Sequence, residues 1–185
     1  MRVLTLHPPW ATLVALGVKS IETRGQRTDV RGRIAIHAAA RSTHRLVDLD
    51  AVTVGPWKVF VDREYVWMEH YAVGLGGVPW GDDGYVPLPF GAIVATADLY
   101  DCLPIVAQGA AMYGWDHIAR SLDGALTINR RHPSAFSYTS TPDDDELPFG
   151  DYRPGRWAWL LRDVQPVDPP VPFRGGQGWS RRWQP

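Results

Sequence analysis

Between Gly17 and Arg24, the run GVKSIETR places an ammonium, a carboxylate and a guanidinium within six positions, at Lys19, Glu22 and Arg24. Only two of the 19 basic residues are lysine, Lys19 and Lys58, so arginine supplies nearly every positive charge. Lysine differs in one chemical respect: its ammonium can lose a proton when taken out of water, whereas a guanidinium stays charged. Lys19 therefore reads in two ways. As a reactive amine it acts as general base or nucleophile with Glu22 relaying the proton. As one arm of a surface ion network it contributes under about 1 kcal/mol per pair. Strict strand alternation sets Lys19, Ile21 and Thr23 on one face and Ser20, Glu22 and Arg24 on the other. The three polar groups converge only if the first residues after Gly17 still belong to a turn.

Other groups extend the inventory. Between Lys19 and Arg45 seven basic residues face two acidic ones, a net charge of about +5 in a chain whose total is −1. Such asymmetry can aim a basic face at phosphate, with Arg24, Arg31 and Arg33 as its candidate contacts, and it also fits a solvated mixed surface. His37, in the run RIAIHA, reads either as a satisfied structural histidine or as a donor to a ligand. Nine tryptophans interleaved with arginines supply what a single-stranded nucleic acid or an isolated base needs, stacking faces beside phosphate partners. Trp10, Trp157 and Trp159 read first as core residues, whereas Trp179, in a polar Gly-rich tail, reads as a ring over a ligand. The six histidines show no paired ligand spacing and Cys102 is the only cysteine, so no metal or cofactor is expected. Cys102 itself reads as core.

The elements that must position these groups follow from the pattern. Val3 to Leu6 predicts a short strand. Pro8 and Pro9 can open a helix in which Trp10, Leu13, Val14 and Leu16 repeat at helical spacing, with Gly17 as its terminating glycine. Val18 to Arg24 is expected extended. Arg33 to Ala38 alternates as a strand with Ile34 and Ile36 inward. Ser42 or Thr43 caps an expected helix reaching Val54, and Phe60, Trp67, Met68 and Tyr71 suggest a second. Residues 74–91 read as a Gly/Pro loop, Gly91 to Cys102 as the strongest strand, Ala110 to Ser121 as a short helix, and 132–155 as an acidic loop. Arg156 to Asp163 returns as a strand. Irregular alternation of strands and helices favours an α+β barrel over a doubly wound sheet.

At 185 residues the chain fits one domain, since a domain holds roughly 100–200. The opening MRVLTLHPPW breaks at Pro8-Pro9 before any apolar leader develops, no stretch is long and apolar enough to span a membrane, and no intramolecular disulfide can form. A cytoplasmic protein is expected.

Taken in order, LTLHPPWATLVALGVKSIETR, RGRIAIHAA, FGAIVATADLYDC and GRWAWLLRDVQPVDPPVPFRGGQGW resemble the activating signal cointegrator homology (ASCH) family. The resemblance implies an α+β, PUA-like fold: a small mixed β-barrel flanked by helices, one domain over 1–185 with insertions near 55–90 and 122–155. It implies a cleft beside the first helix that takes RNA, DNA or a modified nucleoside. The family motif falls on Trp10, Gly17, Lys19, Glu22 and Arg24, on Arg31, Gly32 and His37, and on Gly175, Gly178 and Trp179. Where many relatives have Gln-Pro-Trp, this chain has Pro8-Pro9-Trp10. One branch resembles an amidohydrolase acting on acylated cytidine through a lysine, a threonine and a glutamate. Lys19 matches that lysine, while Glu22 stands in the threonine's place. Nucleic-acid or nucleoside binding through Trp10, Arg24, Arg31, Arg33, His37 and Trp179 is the leading expectation. The alternative is a hydrolase, amidohydrolase or ribonuclease, using Lys19 and Glu22. A protein partner at the 132–155 loop is a third.

Overall fold

A computed structural model describes residues 1–40, 88–106, 149–180 and 182–185 in full, and the backbone alone of the strands lying between those ranges. The chain divides into two compact units, the first comprising Met1–Lys19, Gly32–Asp98 and Arg162–Pro185, the second Ser20–Arg31 and Leu99–Leu161.

The first unit begins with strand β1 (Arg2–Leu6) and helix α1 (Trp10–Ala15). Six residues are too few for a helix to stand alone in water, so packing must hold α1. Ala11, Thr12, Leu13, Val14 and Ala15 are all buried, and the helix packs on β1 and on β3 (Gly32–Ala38). Its end follows the sequence reading. Gly17 adopts φ +74°, its N–H bonds Val14 O at 2.9 Å, and the Val18 N–H bonds Leu13 O at 3.0 Å. That pair of bonds is a Schellman motif, which satisfies the last helical carbonyls and favours glycine at its left-handed position.

Strand β1 lies between β3, parallel with Thr5 opposite His37, and β13 (Trp179–Ser180), antiparallel with Leu4 opposite Trp179. Val3, Ala35 and Ile93 form a buried cluster against which Met1, Val167, Phe173 and Trp183 pack. Residues 34–39 are all buried, so β3 is covered on both faces and the expected one-sided alternation of Ile34 and Ile36 does not hold. In the same unit β4 (Leu49–Val54), β5 (Trp57–Val61), β6 (Tyr65–His70) and β7 (Tyr85–Pro87) form an antiparallel meander.

The second unit holds β2 (Ile21–Arg24), β9 (His117–Arg120), β10 (Leu126–Arg130) and β11 (Tyr138–Ser140). Two 16-residue strands, β8 (Ala92–Ala107) and β12 (Trp157–Pro172), run from one unit into the other. Within the second unit β12 pairs antiparallel with β2, β8 pairs parallel with β9, and β9, β10 and β11 continue antiparallel. Its core joins Ile21, Leu103, Ile105, Tyr152, Ala158 and Leu160.

The described backbone is thus mixed β-sheet with a single α-helix, richer in strand than the sequence reading. Leu49–Val54 is a strand, not the end of a helix, and Trp57–Val61 and Tyr65–His70 replace the second helix. The runs LDAVTV, WKVFV and YVWMEH are rich in β-branched and aromatic residues, which suit pairing in a pleated sheet and lose rotamer freedom in a helix. The helical spacing of Phe60, Trp67 and Met68 was a coincidence of that enrichment. His117–Arg120 is likewise strand where a helix was expected, and Tyr85–Pro87 and Tyr138–Ser140 are strands inside two expected loops. Ser42, Thr43, Tyr71 and residues 74–84, 110–116, 121, 132–137 and 141–148 lie outside the described residues. No helix among the described residues is long and apolar enough to cross a membrane.

Candidate nucleic-acid interface

In the second unit, strand β2 shows the alternation its sequence demands. Ile21 and Thr23 are buried, and Glu22 and Arg24 point to the other face. The pairing register sets Trp159 opposite Glu22 and Trp157 opposite Arg24, so the two tryptophans share the face of the ion pair. Arg24 Nε lies 2.8 Å from Glu22 Oε1, and the Arg24 guanidinium carbon sits 5.8 Å from the centroid of the Trp159 ring, within cation–π range. Trp159 is buried at 5% exposure and its indole N–H donates to Gln26 O at 3.0 Å. Its role is therefore wider than the core reading gave it: it forms the platform on which Arg24 rests. Glu22 and Arg24 are both partly exposed, so an acceptor and a cation are presented side by side.

The second unit also holds Arg31. Its guanidinium donates to Thr28 O at 2.9 Å and Val30 O at 2.8 Å and lies 3.4 Å from Asp101 Oδ1. Nearby Cys102 is buried, as expected, and burial pushes its thiol pKa up. Asp151 accepts from the Thr23-anchored turn's other arm: Arg153 Nη2 reaches Asp151 Oδ2 at 2.6 Å, and that hydrogen bond is the main reason its carboxyl is lowered to about 2. The Asp151 N–H in turn donates to Thr23 Oγ1 at 2.9 Å, which ties this turn to the buried side of β2.

In the first unit, Lys19 is 1% exposed, an unusual state for lysine, and its backbone N–H joins that of Val18 on Leu13 O at the helix terminus. Lys19 lies ahead of β2, and its neighbour Val18 is buried with it. Trp10 opens α1 and is half-buried. Arg33 is exposed, and its two terminal nitrogens donate to Asp163 O and Thr96 Oγ1, both at 2.6 Å.

His37 is 2% exposed and has both ring nitrogens engaged. Nε2 lies 3.0 Å from Phe173 O, a pure acceptor, so Nε2 carries the proton and donates. Nδ1 then accepts from the Thr5 hydroxyl at 3.2 Å. Burial lowers the His37 pKa, and the bond to Phe173 opposes that only in part. Trp179 is half-buried beside Leu4 at the outer edge of β1.

The structure thus joins Glu22 with Arg24 and ties His37 to the segment that leads to Trp179. Lys19 closes the first unit, and Glu22 and Arg24 lie in the second. Sequence reasoning missed Trp159 as the partner of Arg24, Asp101 as the partner of Arg31, and Thr5 and Phe173 as the partners of His37. Only the last had a local signal, because Thr5 and His37 lie on two strands each predicted from the sequence. Among the described residues no three His, Cys, Asp or Glu side chains gather as metal ligands.

Comparison with known families was made with the whole chain. The ASCH domain model matches residues 4–128, a span that contains Trp10, Lys19, Glu22, Arg24, Arg31, Arg33 and His37 but not Trp159 or Trp179. No curated protein matches the chain.

Proposed function

The chain belongs to the ASCH domain family, and on that premise we propose that it is an RNA-binding domain built on the family's PUA-like barrel. The family match over residues 4–128 is the observation that carries this reading. Support comes from the chemistry of the second unit. A partly exposed carboxylate and guanidinium lie side by side, Glu22 to accept from a base amine and Arg24 to meet a base or phosphate. Arg31, in the same unit, and Arg33, in the first, add exposed cations whose hydrogen bonds fix their direction. In the first unit the half-buried rings of Trp10 and Trp179 suit stacking on a base. Single-stranded RNA is the proposed ligand class, with a modified nucleoside as its smallest form. No observation among the described residues favours hydrolysis through Lys19.

Fluorescence anisotropy with single-stranded RNA, single-stranded DNA of the same sequence and free acetylated cytidine tests the proposal. Wild type is expected to prefer RNA. Trp179→Ala is expected to weaken binding by about 1–3 kcal/mol, the worth of one base stacked on an aromatic ring. Arg24→Gln is expected to weaken binding and flatten its salt dependence. Equal affinity for all three probes, or none for RNA, contradicts the proposal.

A further inference from the structure

We infer that His37 is a positioning residue, which fixes the segment carrying Trp179 and does not itself touch the ligand. The inference rests on the reading above only in taking Trp179 as a ligand contact. Both imidazole nitrogens are spent inside the fold, Nε2 on Phe173 O at 3.0 Å and Nδ1 on the Thr5 hydroxyl at 3.2 Å. A ring so engaged has no N–H left to offer a base or phosphate.

The segment it holds is tied down at successive points. The Phe173 N–H donates to Gly91 O at 2.8 Å, and its ring meets the imidazole edge to face with centroids 5.7 Å apart. Gly175 crosses so close to the imidazole that a Cβ there would lie 2.3 Å from both Cε1 and Nδ1. The Gly176 N–H donates to Ser180 Oγ at 2.6 Å. Gly178 O accepts from the Thr5 N–H at 3.0 Å, and the next residue, Trp179, stands opposite Leu4. Thr5 thus acts twice, its hydroxyl on His37 and its backbone on the residue before Trp179. Its hydroxyl oxygen also lies 3.4 Å from Ser180 Oγ, which links the histidine to the far end of the segment. The path from the imidazole to Trp179 runs through contacts on both sides of the indole's attachment.

The test compares wild type with Thr5→Val and His37→Gln. Valine keeps the shape of threonine and the Gly178 backbone bond while removing the hydroxyl. Glutamine keeps a donor for Phe173 O and has no imidazole acceptor for Thr5. Amide hydrogen exchange over residues 173–180 is measured first, without ligand. Both variants are expected to exchange roughly three- to tenfold faster there, the loss of about one net hydrogen bond, with a melting temperature within about 4 °C of wild type. Affinity for single-stranded RNA is expected to fall by a similar factor. Unchanged exchange in both variants overturns the inference. So does a loss of RNA affinity in His37→Gln with wild-type exchange, since that is the signature of an imidazole in contact with ligand. Faster exchange in a protein that binds no RNA upholds the positioning role and refutes the binding proposal.

Discussion

Gly175→Ala separates two opposing effects of known sign. The glycine's φ lies outside the left-handed region, so alanine meets no backbone penalty, and the reduced freedom of the unfolded chain favours it by about 0.4–1 kcal/mol. Against this, its Cβ would sit 2.3 Å from two atoms of the His37 ring. That ring cannot swing aside cheaply, because it is buried and hydrogen-bonded at both nitrogens. Forcing a methyl into such a contact costs about 1–3 kcal/mol. The steric effect wins, leaving a net loss of about 1–2 kcal/mol, which lowers the melting temperature by roughly 3–8 °C in a chain of this size. The assay is thermal unfolding followed by circular dichroism on wild type, Gly175→Ala, His37→Ala and the double variant. Removing the ring relieves the clash, so the double variant should be less destabilised than the sum of the singles. A neutral or stabilising Gly175→Ala, or strict additivity with His37→Ala, refutes the reasoning.

Acid titration yields further outcomes. Asp151 is held at about 2 from an ordinary 3.8, chiefly by the hydrogen bond from Arg153, so it contributes stability above pH 3.8 that is lost as pH falls through about 2. Asp151→Asn should therefore lie slightly below wild type in melting temperature at neutral pH and rejoin it near pH 2. An undiminished gap at that pH contradicts the assignment. For His37, burial lowers the pKa from 6.5, so the unfolded chain binds a proton before the folded one and stability falls as pH drops below 6.5. Proton NMR should find the His37 ring less than half-protonated at pH 6.5 in the folded protein; a ring half-protonated or more there contradicts the burial argument. Burial also raises the Cys102 thiol above 9.0, so folded protein should react with a disulfide reagent at pH 8 far more slowly than urea-unfolded protein. Equal rates would mean that the thiol is accessible.

Local chemistry was legible in the sequence wherever it acted over a few residues. Gly17 announced the Schellman turn because its left-handed φ suits glycine, β1, β3 and β8 were visible as runs holding β-branched residues, and the start of β12 as alternating tryptophans followed by leucines. What escaped depends on contacts between distant residues. His37 finds Phe173 136 positions away and Arg33 finds Asp163 130 positions away. No spacing rule links such pairs. Trp159 read as core because burial is the usual fate of an indole, yet its register opposite Glu22 makes it the seat of Arg24. Strands β5 and β6 were misread because Phe60, Trp67, Met68 and Tyr71 fall near one helical face, β4 because a capping Ser42 or Thr43 precedes it, and β7 because it lies within a Gly/Pro-rich stretch.

The most direct test of RNA binding is the salt dependence of affinity for single-stranded RNA. Each phosphate neutralised releases counterions, so the logarithm of affinity should fall against the logarithm of salt with a slope of about −0.7 per contact. If Arg24, Arg31 and Arg33 each meet a phosphate, the slope is expected near −2, and Arg24→Gln should bring it closer to zero by about 0.7. A flat dependence in wild type, or a slope unchanged by Arg24→Gln, contradicts the account.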